Sequence, residues 1–239
     1  MEPWTYEPAK DLELAPLERA RSLKRESGLI STAGHLGWRF VTSSFFRLYH
    51  RLSVEAHSPL PAEPPFVMIA NHTSHLDAIV LWSALPQAVR AITRPVAAKD
   101  YWTRGRIRRY MATEIFNAIL IDRTEIKVHH SPVDAMVSEI GQQYSIIVFP
   151  EGGRSDGREI GEFKSGLYYL CKKRPDLELI PVHVDNMNRI LPRGEVLPVP
   201  LLSCISFGPP MWLEAGEAKT SFLSRAREAV LRLKELEQS

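Results

Sequence analysis

Residues 66–82 read Phe66-Val67-Met68-Ile69-Ala70, then Asn71-His72-Thr73-Ser74-His75-Leu76-Asp77, then Ala78-Ile79-Val80-Leu81-Trp82. A short apolar run, a polar knot and a second apolar run follow one another without a spacer. The first run has the length and texture of a strand buried on both faces. Ser74 is a good helix N-cap, so the spacing predicts a helix over 75–84. Strand-like runs at 96–98, 118–122, 145–149, 178–184 and 203–207 are interleaved with helical patterns at 101–113, 132–142, 164–173 and 222–237. This alternation predicts an α/β layered fold with a largely parallel central sheet flanked by helices. Chemistry in such sheets collects just past the C-terminal ends of the strands. Three segments stand there: 71–77, 121–123 and 150–155.

A chain of 239 residues suffices for one domain with a full core. The first 60 residues lack strand-like runs and end in Pro59, Pro61, Pro64 and Pro65. That sets a boundary, with an N-terminal amphipathic helical segment over 1–60 and a catalytic domain over 61–239. A formal net charge of +2 argues against a uniformly basic nucleic-acid-binding surface, while leaving room for a local cationic patch. Cys171 and Cys204 have no C-x-x-C spacing and read as buried thiols of a reducing compartment. No run approaches the roughly 18 consecutive apolar residues of a spanning helix, and residues 1–10 lack the apolar core of a signal peptide. If the protein meets a membrane, the expectation is that it does so peripherally, from the cytoplasmic face.

Three explanations compete for the knot at 71–77. On a continuous helix, His72 and Asp77 would point about 140° apart. If His72 instead lies in the turn before the cap, its ring can fold over the first helical turn, and the Asp77 carboxylate can fix its tautomer for general-base chemistry. Alternatively, Ser74-x-x-Asp77 is close to a capping box and needs no catalytic role. As a third reading, His72, His75 and Asp77 supply part of a metal site, although nothing in the sequence completes the ligand set.

Two further strand ends carry arginines. The run at 118–121 ends in Asp122-Arg123, and that at 145–149 leads into Pro150-Glu151-Gly152-Gly153-Arg154-Ser155. Paired guanidinium groups can clamp a phosphate, and adjacent glycines allow close backbone approach. Surface pairing of Arg123 with Asp122 or Glu151, and a plain turn at Gly152-Gly153, explain the same residues. Gly153-Arg154-Ser155-Asp156-Gly157 has the G-x-S-x-G pattern of a hydrolase elbow. Ser155 trails Phe149 by six residues, however, and no helix start follows it.

Taken in order, these pieces resemble the lysophospholipid acyltransferases, in particular the 1-acylglycerol-3-phosphate acyltransferases. That family carries N-H-x-S-x-x-D, a strand ending in I-D-R, F-P-E-G-T-R-S, and a strand with a proline near its start. Here they stand as Asn71 to Asp77, Ile121-Asp122-Arg123, Phe149 to Ser155 and Ile180-Pro181-Val182. The resemblance implies His72 as general base and Asp77 as its orienting partner. It implies Arg123, Glu151, Gly152, Arg154 and Lys164 as ligands of the glycerol-phosphate part of the acceptor, and Pro181 near the acceptor or the acyl channel. Gly153 stands where threonine is usual, and Asn117-Ala118 lacks the glycine often found before I-D-R. Both departures touch the region that shapes the acceptor pocket.

The implied reaction is acyl transfer from a thioester, acyl-CoA or acyl carrier protein, to the free hydroxyl of 1-acylglycerol-3-phosphate or a related lysophospholipid in phospholipid biosynthesis. Another lipid acceptor such as a lyso-aminolipid, or a non-catalytic membrane-binding protein of this fold, is the alternative. No metal and no organic cofactor beyond the acyl carrier is implied, and no nucleic acid.

Such substrates need a membrane surface. Between Arg19 and Arg51, seven basic residues face the single acid Glu26, and Trp38, Val41, Phe45 and Leu48 or Tyr49 recur at helical spacing. The stripe suits an interfacial helix. It equally suits a helix packed on the catalytic domain. Arg104, Arg106, Arg108 and Arg109 form a second cationic cluster, suited to anionic headgroups, an acidic carrier protein or plain solvation.

Overall fold

The structure, a computed structural model, describes residues 52–238 apart from 62, 75, 122–130, 142, 158, 186 and 191–201, with seven further positions between 34 and 45. The chain divides into two units, Met1–Gly37 and Trp38–Ser239. The second holds a seven-stranded sheet of β1 (Ser53–Ala56), β2 (Phe66–Ala70), β3 (Thr93–Ala98), β4 (Ile119–Ile121), β5 (Ser145–Val148), β6 (Glu178–Val184) and β7 (Cys204–Phe207). Their order across the sheet is β1-β7-β6-β2-β5-β3-β4. Every neighbouring pair is parallel except β6 with β7.

The run at 66–70 is apolar throughout because it sits at the centre of the sheet with a helical layer on each face. Phe66, Met68 and Ala70 face one core, shared with Val80 and Leu81 of helix α1 (Asp77–Ala84). Val67 and Ile69 face the other. That second core is closed by α5 (Pro132–Ile140), α6 (Gly166–Lys173) and α8 (Lys219–Gln238). Each fully buried large side chain contributes about 1.5–3 kcal/mol. The shorter helices are α2 (Gln87–Ile92), α3 (Lys99–Trp102), α4 (Arg106–Tyr110) and α7 (Met187–Ile190).

The central strands and outer helices follow the sequence closely, and three differences have physical causes. Strand β1 was not expected before the proline segment: its four residues are all exposed, and their polar–apolar alternation is too short to signal a strand, so its pairing with β7 makes it one. The expected helix over 101–113 is broken at Gly105, whose φ of 117° ends α3 and restarts the chain as α4 and a π-helical turn at Met111–Ile115. Helix α1 begins at Asp77, two residues later than the cap at Ser74 predicts. Leu76 is its N-cap and supplies no side-chain bond.

Among the described residues, no helix is long and apolar enough to cross a membrane. Trp38, Val41 and Phe45 are helical and each about half exposed, so they are not sealed into a core. The rest of the stripe, Leu48 and Tyr49, lies outside the described residues.

Candidate active site

The late start of α1 follows from the carboxylate of Asp77. Its Oδ2 accepts the backbone N–H of Thr73 at 2.6 Å and of Ser74 at 2.8 Å, folding the loop back over the first helical turn. The same oxygen lies 2.8 Å from Nδ1 of His72, the geometry of an Nδ1–H donating to a carboxylate. Asp77 is fully buried, while the His72 side chain keeps 21% exposure. The pairing that a continuous helix forbids is therefore made by the turn. One half of the capping box is also present, since Asp77 does accept the Ser74 N–H. The other half is absent: Ser74 Oγ accepts from Leu76 N–H instead, at 3.3 Å. His75 lies outside the described residues.

Four sets of contacts that the sequence did not disclose hold the His72 loop. The Asn71 side chain extends the ladder beyond β2, donating to Val184 C=O at 2.9 Å and accepting Val184 N–H at 2.8 Å. Glu151, 8% exposed, accepts the His72 N–H at 2.7 Å with Oε1 and the Gly161 N–H at 2.8 Å with Oε2. The His72 ring stacks on Phe149 with centroids 4.3 Å apart. Its carbonyl also accepts both the N–H and the hydroxyl of Ser155, at 2.8 and 3.2 Å. Ser155 is thus a brace for the loop.

His72 stands on the wall of a cleft of about 280 Å³ past the C-terminal ends of β2, β3, β4 and β5. The wall is largely apolar: Val96 to Ala98, Tyr101, Trp102, Ile121, Met136 and Val148 line it, with Gly152, Gly153 and Arg154 at one side. A hydrocarbon chain suits such a wall, and a histidine at its edge suits proton transfer at a bound head group.

The other expected ligands fall in different places. Gly152 and Arg154 line the cleft. Gly152 has φ of 70°, and a Cβ there would come within 3.3 Å of Lys164 Cγ, so the turn calls for glycine. Lys164 itself is exposed, outside the cleft lining. Glu151 was expected on the acceptor, but both its oxygens are engaged by backbone N–H groups, so the structure gives it a positioning geometry. Pro181 is buried within β6, paired with Ile69, and does not reach the cleft. Its carbonyl accepts the Gly208 N–H at 2.8 Å, so the side of the strand that lacks an N–H faces away from β2 and the central ladder is intact. Arg123 lies outside the described residues. Asn117, where the family often has glycine, has φ of 48°, a conformation that asparagine tolerates better than most residues. At Gly153 a Cβ would meet nothing within 4 Å, so the threonine usual in the family would fit.

The family model described as Acyltransferase matches residues 51–185, from the strand before the proline segment through the end of β6. The chain belongs to the acyltransferase family. Among relatives of this acyltransferase chain, it is 27% identical over 166 residues to the 1-acyl-sn-glycerol-3-phosphate acyltransferase of Salmonella typhimurium, covering 66% of this chain and 60% of that protein. It is 28% identical over 151 residues to the human 1-acyl-sn-glycerol-3-phosphate acyltransferase beta, covering 62% and 50%. Its aligned parts span 37% to 64% of the length of the curated relatives it matches. In three dimensions it is similar to the crystal structure of the 1-acyl-sn-glycerophosphate (LPA) acyltransferase PlsC from Thermotoga maritima. The TM-score is 0.66 at 17% identity, with 93% of this chain and 87% of that one covered, which establishes a shared fold.

Proposed function

We propose that this chain moves a fatty acyl group from an acyl thioester to the free hydroxyl of 1-acylglycerol-3-phosphate or a related lysophospholipid. The observation that carries the reading is the buried Asp77 carboxylate on Nδ1 of a half-open histidine at the rim of an apolar cleft. With Nδ1 bonded to Asp77, Nε2 takes the proton of the acceptor hydroxyl. The oxygen attacks the thioester carbonyl, the tetrahedral intermediate collapses, and the thiol leaves carrying a proton from the imidazolium. Direct attack within one bound pair of substrates requires no acyl-enzyme. The cleft wall takes the acyl chain. Arg154 at its side, with Arg123 and Lys164, gives the phosphate of the acceptor its counter-charge.

The chain works at a membrane surface, on the cytoplasmic face. Half-exposed Trp38, Val41 and Phe45 support the membrane contact, as do Arg104, Arg106, Arg108 and Arg109 around Ile107, which is 81% exposed. The test is transfer of a labelled palmitoyl chain, from CoA and from acyl carrier protein, to a panel of lysophospholipids in mixed micelles. Diacyl product with lysophosphatidic acid, and a raised KM for it in Arg154→Ala, are expected. Absence of product with every lysophospholipid would refute the reading.

A further inference from the structure

One group of titratable side chains lies outside the cleft and takes no part in acyl transfer. Register puts Glu55, Ser206 and His183 in one row across β1, β7 and β6. The Asp185 N–H donates to Cys204 C=O at 3.0 Å and extends the ladder by a step, so Asp185 and Cys204 form the next row. Paired residues present their side chains on one face of a sheet. Near its end, α8 lays Glu237 over these rows. Glu237 Oε2 lies 2.8 Å from His183 Nδ1, and Oε1 accepts from the Ser206 hydroxyl. One ligand atom from each of His183, Asp185 and Glu237 falls within 4.8 Å of the other two.

A helix end clipped to a sheet needs only His183, Glu237 and Ser206. Asp185, half-buried, adds a second carboxylate beside the His183 and Glu237 side chains, which are 4% and 9% exposed. Negative charge gathers here, since Glu55 shares the row of Ser206 and His183. A hydroxyl that holds the outer oxygen of a carboxylate is also how ligating carboxylates are oriented around ions.

We propose that His183 Nδ1 and the carboxylates of Asp185 and Glu237 form a binding site for a divalent transition-metal ion of the zinc class. One imidazole nitrogen with two carboxylates suits zinc, manganese or ferrous iron, whereas calcium and magnesium take all-oxygen sites. The ion replaces the hydrogen bond between Nδ1 and Glu237, so the ring carries its proton on Nε2. Val184 lies between two of the ligands, and both its backbone groups are held by the Asn71 side chain, one residue before His72. An ion at this strand end therefore braces the His72 loop as well as α8. The bracing role rests on the acyl-transfer reading, while the ion site does not.

The test uses the full chain, stripped with a chelator and titrated with Co²⁺ under visible absorption, with zinc content then measured after gel filtration. About one equivalent of ion per chain is expected, with unfolding raised by roughly 5 °C or more when the ion is at about a hundredfold its Kd. Asp185→Asn leaves the buried His183–Glu237 pair in place and should weaken ion affinity about tenfold or more; His183→Gln should abolish the site. Uptake of less than about a tenth of an equivalent overturns the proposal. So does uptake that neither variant changes, since the ion then sits on other histidines and His183, Glu237 and Ser206 are a hydrogen-bonded clip alone.

Discussion

Glu151 holds His72 by its main chain: Oε1 accepts the His72 N–H at 2.7 Å, and Oε2 accepts the N–H of Gly161 at 2.8 Å. The two residues are 79 apart in sequence. Their bond ties the loop after β2 to the loop after β5, the two walls between which the His72 ring lies against Phe149. A Cβ at position 161 would come within 2.9 Å of Oε2, so Gly161 is part of the same fitting.

Glu151→Gln replaces one acceptor oxygen by a donor facing an N–H. One buried bond is lost, and stability should fall by about 1–3 kcal/mol in urea denaturation. For a residue that positions the base, kcat should drop about tenfold or more with the acceptor KM nearly unchanged. A rise in KM at constant kcat would return Glu151 to the acceptor site.

Asn71→Ala strands both the N–H and the C=O of Val184 in a buried place. The expected cost is about 2–4 kcal/mol, read as a shift in the urea midpoint at constant m-value.

The sheet and its order of elements were legible because β2 and β6 are apolar runs of strand length with polar knots at their ends. The His72–Asp77 contact was legible only as one of three readings. Deciding among them required the turn that brings Thr73 N–H, Ser74 N–H and the His72 ring onto one oxygen. Strand β1 was hidden because its alternation runs over only four exposed residues, and the interruption at Gly105 because its neighbours are good helix formers. The roles of Asn71 and Glu151 were out of reach for a different reason: each acts on a backbone group far along the chain, and no local pattern records such a bond. Tyr101 and Trp102 enter the cleft wall by the same kind of long-range placement.

Gly153→Thr should fold normally, because the added side chain meets open space, with stability within about 0.5 kcal/mol of wild type. It narrows the cleft beside Arg154. Acylation of lysophospholipids with large head groups should fall more than that of lysophosphatidic acid, as compared by kcat/KM.

Arg225 binds Glu217 through two nitrogens, at 3.0 and 2.7 Å, and donates to the Trp212 carbonyl at 2.8 Å. The Arg225 bond holds the Glu217 carboxyl below the usual carboxylate range, with burial opposing it. A depressed folded pKa adds stability that is complete above the unfolded value of about 4.3 and is lost as pH falls through the folded one. Glu217→Gln should therefore cost about 1 kcal/mol at pH 7, a modest figure because Arg225 is partly exposed. As pH falls below about 4.3 the difference between the two proteins should shrink, closing once pH is under the depressed folded pKa. A pH-independent difference would place the effect elsewhere.

The central claim is that His72, set by Asp77, is the base. Its most direct test is the rate of palmitoyl transfer to lysophosphatidic acid by wild type and by His72→Ala, each shown to be folded by circular dichroism. Loss of about a hundredfold or more in kcat is the predicted result. Transfer by His72→Ala at the wild-type rate would contradict it.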